Sequence, residues 1–277
     1  MRRQRTLRVV IGVVAILASI VVFLVPFAFI FLTAAKSAPE AADFEFSLPT
    51  QWQLMENIKE VLTTRNYVVV RAFINSTQLT VFSVAIMVVL AAMVGYVLQR
   101  RQSKWNPVVN GMVMAGLIIP PAVVPTIWVL QELGLFKQMI GGVLVNVAFG
   151  LSFCVLLFRA FVASIPRELD EAAIVDGAGP LRLFFSVILP LLRPVLITVI
   201  VVQSVQVFKD FTIPLYFLPG NENVTVQLTL YNFQAQMLSQ WNLLFTDILL
   251  ITIPPLVMYI IFNRQIVAGM TSGAVKG

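Results

Sequence analysis

Few of the side chains that do chemistry are present in this chain. It has no histidine and a single cysteine, Cys154, which excludes an intrachain disulfide and a Cys/His zinc site. Cys154 lies in the apolar run 151–158 and reads as a packing residue. No G-x-x-x-x-G-K-[ST] phosphate loop occurs, so the chain cannot cradle ATP in the Walker manner. What remains is a cluster of carboxylates. Four of the thirteen acids, Glu168, Asp170, Glu171 and Asp176, fall in the stretch 164–190, which reads SIPRELDEAAIVDGAGPLRLFFSVILP. Carboxylates spaced this way offer anchors for ion pairs.

Pro166 suits the first turn of a helix, where its missing N–H costs nothing. Glu168, Asp170 and Glu171 then sit near the positive end of the helix dipole. Leu169, Ala172 and Ala173 share one face at i, i+3 and i+4. Gly177 can take the left-handed turn that ends the helix, and Gly179-Pro180 prevents a restart. The product is a short helix stopped at both ends, with a small-residue face that lets a partner approach closely.

The elements that must carry this helix follow from composition. Hydrophobic residues make up 59% of the 277 and charged residues 12%, against roughly 25% charged in a soluble domain. So little polar surface cannot coat a water-soluble globule, and lipid is the natural solvent. A span needs about 20 apolar residues, and only helices satisfy their own backbone in lipid. Six such stretches are read: 9–33, 73–98, 108–130, 142–158, 194–218 and 243–262. The first, preceded by Arg2, Arg3, Arg5 and Arg8, resembles a signal peptide but is too long for the 7–15-residue core of one, and is taken as a span.

Placing residues 1–8 inside puts thirteen Lys and Arg on the cytoplasmic side against six outside, as the positive-inside rule requires. Both termini, 1–8 and 263–277, are then cytoplasmic. The segments 34–72 and 219–242 are external, the first with a short amphipathic helix near 54–62. The long loop 159–193 is cytoplasmic. The net charge of +6 reflects this asymmetry; the basic residues are scattered, with no aromatic-basic module for nucleic acid.

From Pro194 to Phe208 there are only 15 residues before Lys209 and Asp210, about 22 Å of helix. Both charges therefore fall within hydrocarbon depth unless they face protein or water. Asp247 lies about one turn into the sixth span and is a possible partner of Lys209. The candidate path residues are Trp128, Asn146, Gln203, Gln206, Lys209, Asp210 and Asp247; aromatic faces offer stacking and amides bind hydroxyls. The alternative for the three charges is that they mark the water interface, and Trp128 equally suits an interfacial anchor. Pro120, Pro121 and Pro125 should kink the third span. Asn221, Tyr231, Asn232 and Gln234 stand in the second external segment, which by its polar residues reads as a surface loop.

Glu171-Ala172-Ala173, Gly177 and Val187-x-Leu189-Pro190 resemble the EAA signature (EAA-x3-G-x9-I-x-LP) of membrane subunits of binding-protein-dependent ABC importers. Val187 in place of isoleucine is the one departure. Asn75-Ser76, Gly95-Tyr96, Pro120, Pro125, the run 165–170 and the tail from Gly269 to Gly277 resemble the carbohydrate branch, the maltose-type permeases. The resemblance implies an all-α membrane protein with the type I importer transmembrane-domain fold, non-catalytic, in the bacterial inner membrane. It implies a coupling helix, with Glu171, Ala172, Ala173, Asp176, Gly177, Leu189 and Pro190 as the coupling residues. The implied partners are two cytoplasmic ATPase subunits that hold ATP and magnesium, a second and different permease subunit, an external sugar-binding protein with Asn221, Tyr231, Asn232 and Gln234 as candidates for docking it, and a di- or oligosaccharide as cargo. No cofactor is expected on this chain. The alternatives are an importer subunit for a non-sugar solute, or a secondary transporter or channel. The last would leave the EAA stretch unexplained.

Overall fold

The computed structural model describes residues 2–236 and 240–272, and the side chains of 11–231 and 240–263. Every regular element among the described residues is a helix. The chain forms two compact units, Met1–Val70 with Thr229–Ile253, and Arg71–Leu228 with Pro254–Gly277.

In the first unit, α1 (Arg2–Ala34) is bare on its flanks: Val22 and Phe23 are 64% and 66% exposed. A continuous apolar helix with no protein cover is at home only in lipid. Its C-terminal end is buried and polar. Asn57 Nδ2 donates to the Ala34 and Lys36 carbonyls, both at 2.9 Å, and Thr246 Oγ1 donates to Ala34 O at 3.2 Å. These bonds satisfy carbonyls that a helix end leaves without partners. Lys36 is 1% exposed; its ammonium donates to Glu45 O and Ser47 Oγ, each at 2.8 Å. After α2 (Ala38–Ala42), α3 runs over Leu54–Arg100.

The sequence places a short helix near 54–62; in the structure these residues are helical and four non-helical residues, Thr64–Tyr67, part them from the second span. The joint is a left-handed turn at Arg65, Asn66 and Tyr67 (φ 50, 56 and 60). Just ahead of it, Thr63 and Thr64 hydroxyls bond back to Lys59 O and Glu60 O, competing with the helix ladder.

Two expected spans are broken. The stretch 108–130 is α4 (Asn106–Ile118) and α5 (Val123–Glu132), bent by 118°, rather than one kinked helix. Pro120 forces Ile119 out of the helical region (ψ 123), and Pro120 and Pro121 together offer no N–H to bridge the gap. After α6 (Met139–Val162) and the short α7 (Glu168–Val175), the stretch 194–218 also divides. α8 (Pro180–Leu191), with a π-helical turn at Leu183–Ile188, meets α9 (Arg193–Lys209) at 78°. α9 then stops at Asp210 (ψ 128) before α10 (Thr212–Phe217). Four helices are long and apolar enough to cross a membrane singly, and six spans result when each bent pair counts as one. The stretch 219–242 contains α11 (Val226–Gln236), and the last candidate span belongs to α12 (Trp241–Ser272).

In the second unit, α3 packs on α6. Met87, Ala91, Val155, Phe158, Val162, Ile188, Leu192 and Val199 belong to the buried core. Gly95 permits the approach: a Cβ there would meet Arg159 N at 2.9 Å and Phe158 Cβ at 3.0 Å. Small residues matter here because lipid is as apolar as the core, and close packing must supply the attraction.

Candidate functional site

The carboxylate stretch folds as the sequence indicates, with one shift. α7 begins at Glu168, and Pro166 lies ahead of it rather than in its first turn, with Arg167 as the N-cap. Glu168, Asp170 and Glu171 occupy the first turn, where negative charge complements the dipole. The C-terminus closes with Gly177 N–H on Ile174 O and Ala178 N–H on Ala173 O, both 2.9 Å. With Gly177 at φ +79, this is the Schellman arrangement that favours glycine.

α7 has two faces. Glu171, Ala172, Ile174, Val175 and Asp176 point outward, Val175 being 85% exposed. Asp170 points inward, 8% exposed, with Oδ2 2.7 Å from Arg100 Nε. Arg100 Nη2 also donates to Ile165 O at 2.8 Å. The inner face thus fastens α7 to the end of α3, and the outer face is an apolar and acidic surface suited to a partner. Leu189 and Pro190 do not join that surface. Leu189 packs on the core, and Pro190, two residues before Leu192, borders the bend between α8 and α9.

A cavity of about 360 Å³ lies between α6, α9 and α10, lined by Asn146, Gln203, Gln206, Lys209, Asp210, Phe149 and Phe211 among others. Five candidate path residues therefore meet in one place. Asn146 is buried and donates to Gly142 O at 3.0 Å. The Asp210 carboxylate accepts the N–H groups of Thr212 (3.0 Å) and Ile213 (3.3 Å), so it starts α10 as well as lining the cavity. Gly150 opposite Met87 keeps the space open. Phe149 and Phe211, which supply the apolar walls, escaped the sequence reading; for Phe149, an aromatic beside a glycine in an apolar run was the only signal.

Two candidates lie elsewhere. Trp128, on α5 and 63% exposed, is not among the lining residues. Asp247, wholly buried in the first unit, accepts a hydrogen bond from Thr229 Oγ1 at 3.1 Å, where the sequence suggested Lys209. Asn221 and Tyr231 are exposed, in different units. The side chains of Asn232 and Gln234 lie outside the described residues.

The model of the "Binding-protein-dependent transport system inner membrane component" family matches residues 87–272, which contain α7, the carboxylate stretch and the cavity. The chain belongs to this family. It is a multi-pass inner-membrane permease subunit of a binding-protein-dependent importer. Among relatives, it is 30% identical over 209 residues to the melibiose/raffinose/stachyose import permease protein MelC of Bacillus subtilis, covering 74% of this chain and 76% of that one. It is 30% identical over 260 residues to the diacetylchitobiose uptake system permease protein NgcG of Streptomyces coelicolor, covering 92% and 85%. In fold it is similar to a chain of a bacterial ABC transporter involved in the import of the acidic polysaccharide alginate. That match has a TM-score of 0.81 and 20% identity, and covers 95% of this chain and 98% of the other.

Proposed function

We propose that this permease forms half of the pathway for a di- or oligosaccharide and is driven by a separate cytoplasmic ATPase. The observation that carries the reading is α7, a capped helix whose inner face is fixed to the membrane helices while its outer face is bare. A helix held in this way transmits force from whatever seats on it. The distribution of Lys and Arg over six spans supports both termini, and α7 with them, on the cytoplasmic side. ATP and magnesium then belong to the ATPase pair, and an external sugar-binding protein presents the cargo. A second, different permease supplies the other half of the path.

The carbohydrate assignment is supported by the sugars named for MelC and NgcG, and by the cavity. Two aromatic rings and three amides around about 360 Å³ match a ligand with apolar C–H faces and many hydroxyls. Solubilising the tagged chain under mild conditions tests both halves. An ATPase and a second permease should co-purify, and the cognate external protein should bind melibiose, raffinose or diacetylchitobiose in calorimetry. Recovery of this chain alone counts against the coupling, and an external protein that binds amino acids or metal complexes instead of sugars counts against the cargo.

A further inference from the structure

Arg100 is the last residue of α3, and the same helix is fastened again far from it. Asn75 is 8% exposed and Ser76 is 2% exposed. Asn75 Nδ2 donates to Glu222 O at 2.9 Å and to Val224 O at 3.0 Å. Ser76 Oγ accepts the N–H of Val226 at 3.0 Å. The non-helical residues of α3, Thr64–Tyr67, all precede Asn75, so the helix between the two fastenings is continuous. From Asn75 to Arg100 it rises about 38 Å at 1.5 Å per residue, more than the roughly 30 Å of a hydrocarbon core. The two sets of contacts therefore sit at opposite membrane faces.

We propose that α3 between Asn75 and Arg100 is a strut that carries the movement of α7 to the 222–226 segment on the opposite face. Arg100 and Asp170 are the positioning residues at one end, and Asn75 and Ser76 at the other. The proposal rests on the reading of α7 as the ATPase seat.

The chemistry of the pins suits the task. The Arg100–Asp170 pair is mostly shielded from water, its side chains 8% and 12% exposed, and a shielded pair is screened little by salt. Arg100 also holds Ile165 O, so it grips α7 through the carboxylate and through the backbone that leads into it. At the far end, three bonds engage backbone groups of 222–226. Backbone contacts hold the path of the segment, with Val224, Thr225 and Val226 buried and Glu222 exposed at its start. Between the pins, Met87, Ala91 and Ala92 are fully buried, and Gly95 lies against α6. A helix packed this closely moves as a body, because a close-packed interior has little compliance.

The test uses the whole importer, with its ATPase and second permease, in lipid nanodiscs. Glu222→Cys in a Cys154→Ala background serves as the reporter. Its reaction rate with a membrane-impermeant maleimide is measured without nucleotide and with ATP plus orthovanadate. In the reference protein the rate changes several-fold between the two states. Arg100→Ala, Asp170→Ala and Asn75→Ala each abolish that change, while the ATPase still co-elutes and hydrolyses ATP. The reversed pair Arg100→Asp with Asp170→Arg restores it. If Arg100→Ala does not assemble, Arg100→Lys keeps the charge, loses the fork to Ile165, and reduces the change. Absence of ATPase from the reference complex overturns the coupling reading itself. ATPase present, with the pinned and unpinned proteins changing rate alike, overturns the strut alone.

Discussion

Asn242 Nδ2 donates to Asn57 Oδ1 at 2.9 Å, joining positions 185 residues apart in sequence. Asn57 is 3% exposed and spends its amide protons on Ala34 O and Lys36 O. One side chain thereby closes the end of α1 and ties the start of α3 to α12. Removing it leaves buried acceptors and an amide donor without partners, at about 1–3 kcal/mol for an unsatisfied group. Asn57→Ala should lower the thermal unfolding midpoint in detergent by several degrees. An unchanged midpoint would show that the network contributes nothing.

Gly95 makes the opposite kind of prediction, since nothing is removed. A Cβ at this position already meets backbone and side chain at 2.9–3.1 Å. Gly95→Leu must push α3 away from α6, and overpacking of this kind costs about 1–3 kcal/mol. Reduced membrane abundance and earlier melting are expected, with Gly111→Leu as the comparison because a Cβ there meets no atom within 4 Å. Equal behaviour of the two variants would contradict the close α3–α6 approach.

Glu171 separates docking from stability. It is exposed, so Glu171→Lys should change stability by no more than about 0.5 kcal/mol. The reversed charge sits on the outer face of α7 and should still prevent the ATPase from co-purifying. Melting and pull-down on the same preparation distinguish the two effects. Retained ATPase with normal melting would remove Glu171 from the seat.

Much of this site was legible because its signals are local. Pro166, the acid-rich first turn, Gly177 and Gly179-Pro180 act within a few residues, and α7 forms within two residues of the expected start. Apolar runs likewise marked the long helices. The breaks were harder to read. Pro120-Pro121 announced a kink, but a 118° bend depends on what the second segment packs against. No proline or glycine marks the left-handed turn at Arg65–Tyr67. Lys36, in the segment read as external, is buried because a loop carbonyl and a hydroxyl converge on it. Asn75 and Ser76 find their partners about 150 positions away, and such pairing leaves no periodic trace in a single sequence.

The cavity predicts a graded response. Gln206 is exposed within it, whereas Gln203 is buried. Gln206→Ala should cost one hydrogen bond to a sugar hydroxyl, about 0.5–1.5 kcal/mol, or roughly a 2–10-fold weaker apparent affinity in uptake. Phe149→Ala removes a ring face and should weaken uptake by at least as much. Uptake kinetics at matched membrane abundance decide it, and unaltered kinetics in both variants would exclude the cavity from the path.

Asp210 holds two roles that substitution can part. Its carboxylate accepts Thr212 and Ile213 N–H groups, and it also lines the cavity. Asparagine keeps a carbonyl oxygen able to accept at a helix start, whereas alanine keeps none, and loss of such a cap costs about 1 kcal/mol. If the residue serves the path chiefly by starting α10 in the right direction, Asp210→Asn should transport nearly as the parent does. Asp210→Ala should then transport poorly and melt earlier. If the negative charge itself meets the cargo or pairs with Lys209 in the moving protein, Asp210→Asn should lose uptake while melting normally. The geometry favours the first outcome, because both carboxylate oxygens already accept backbone hydrogen bonds. Uptake and melting measured on both variants separate the cap from the charge.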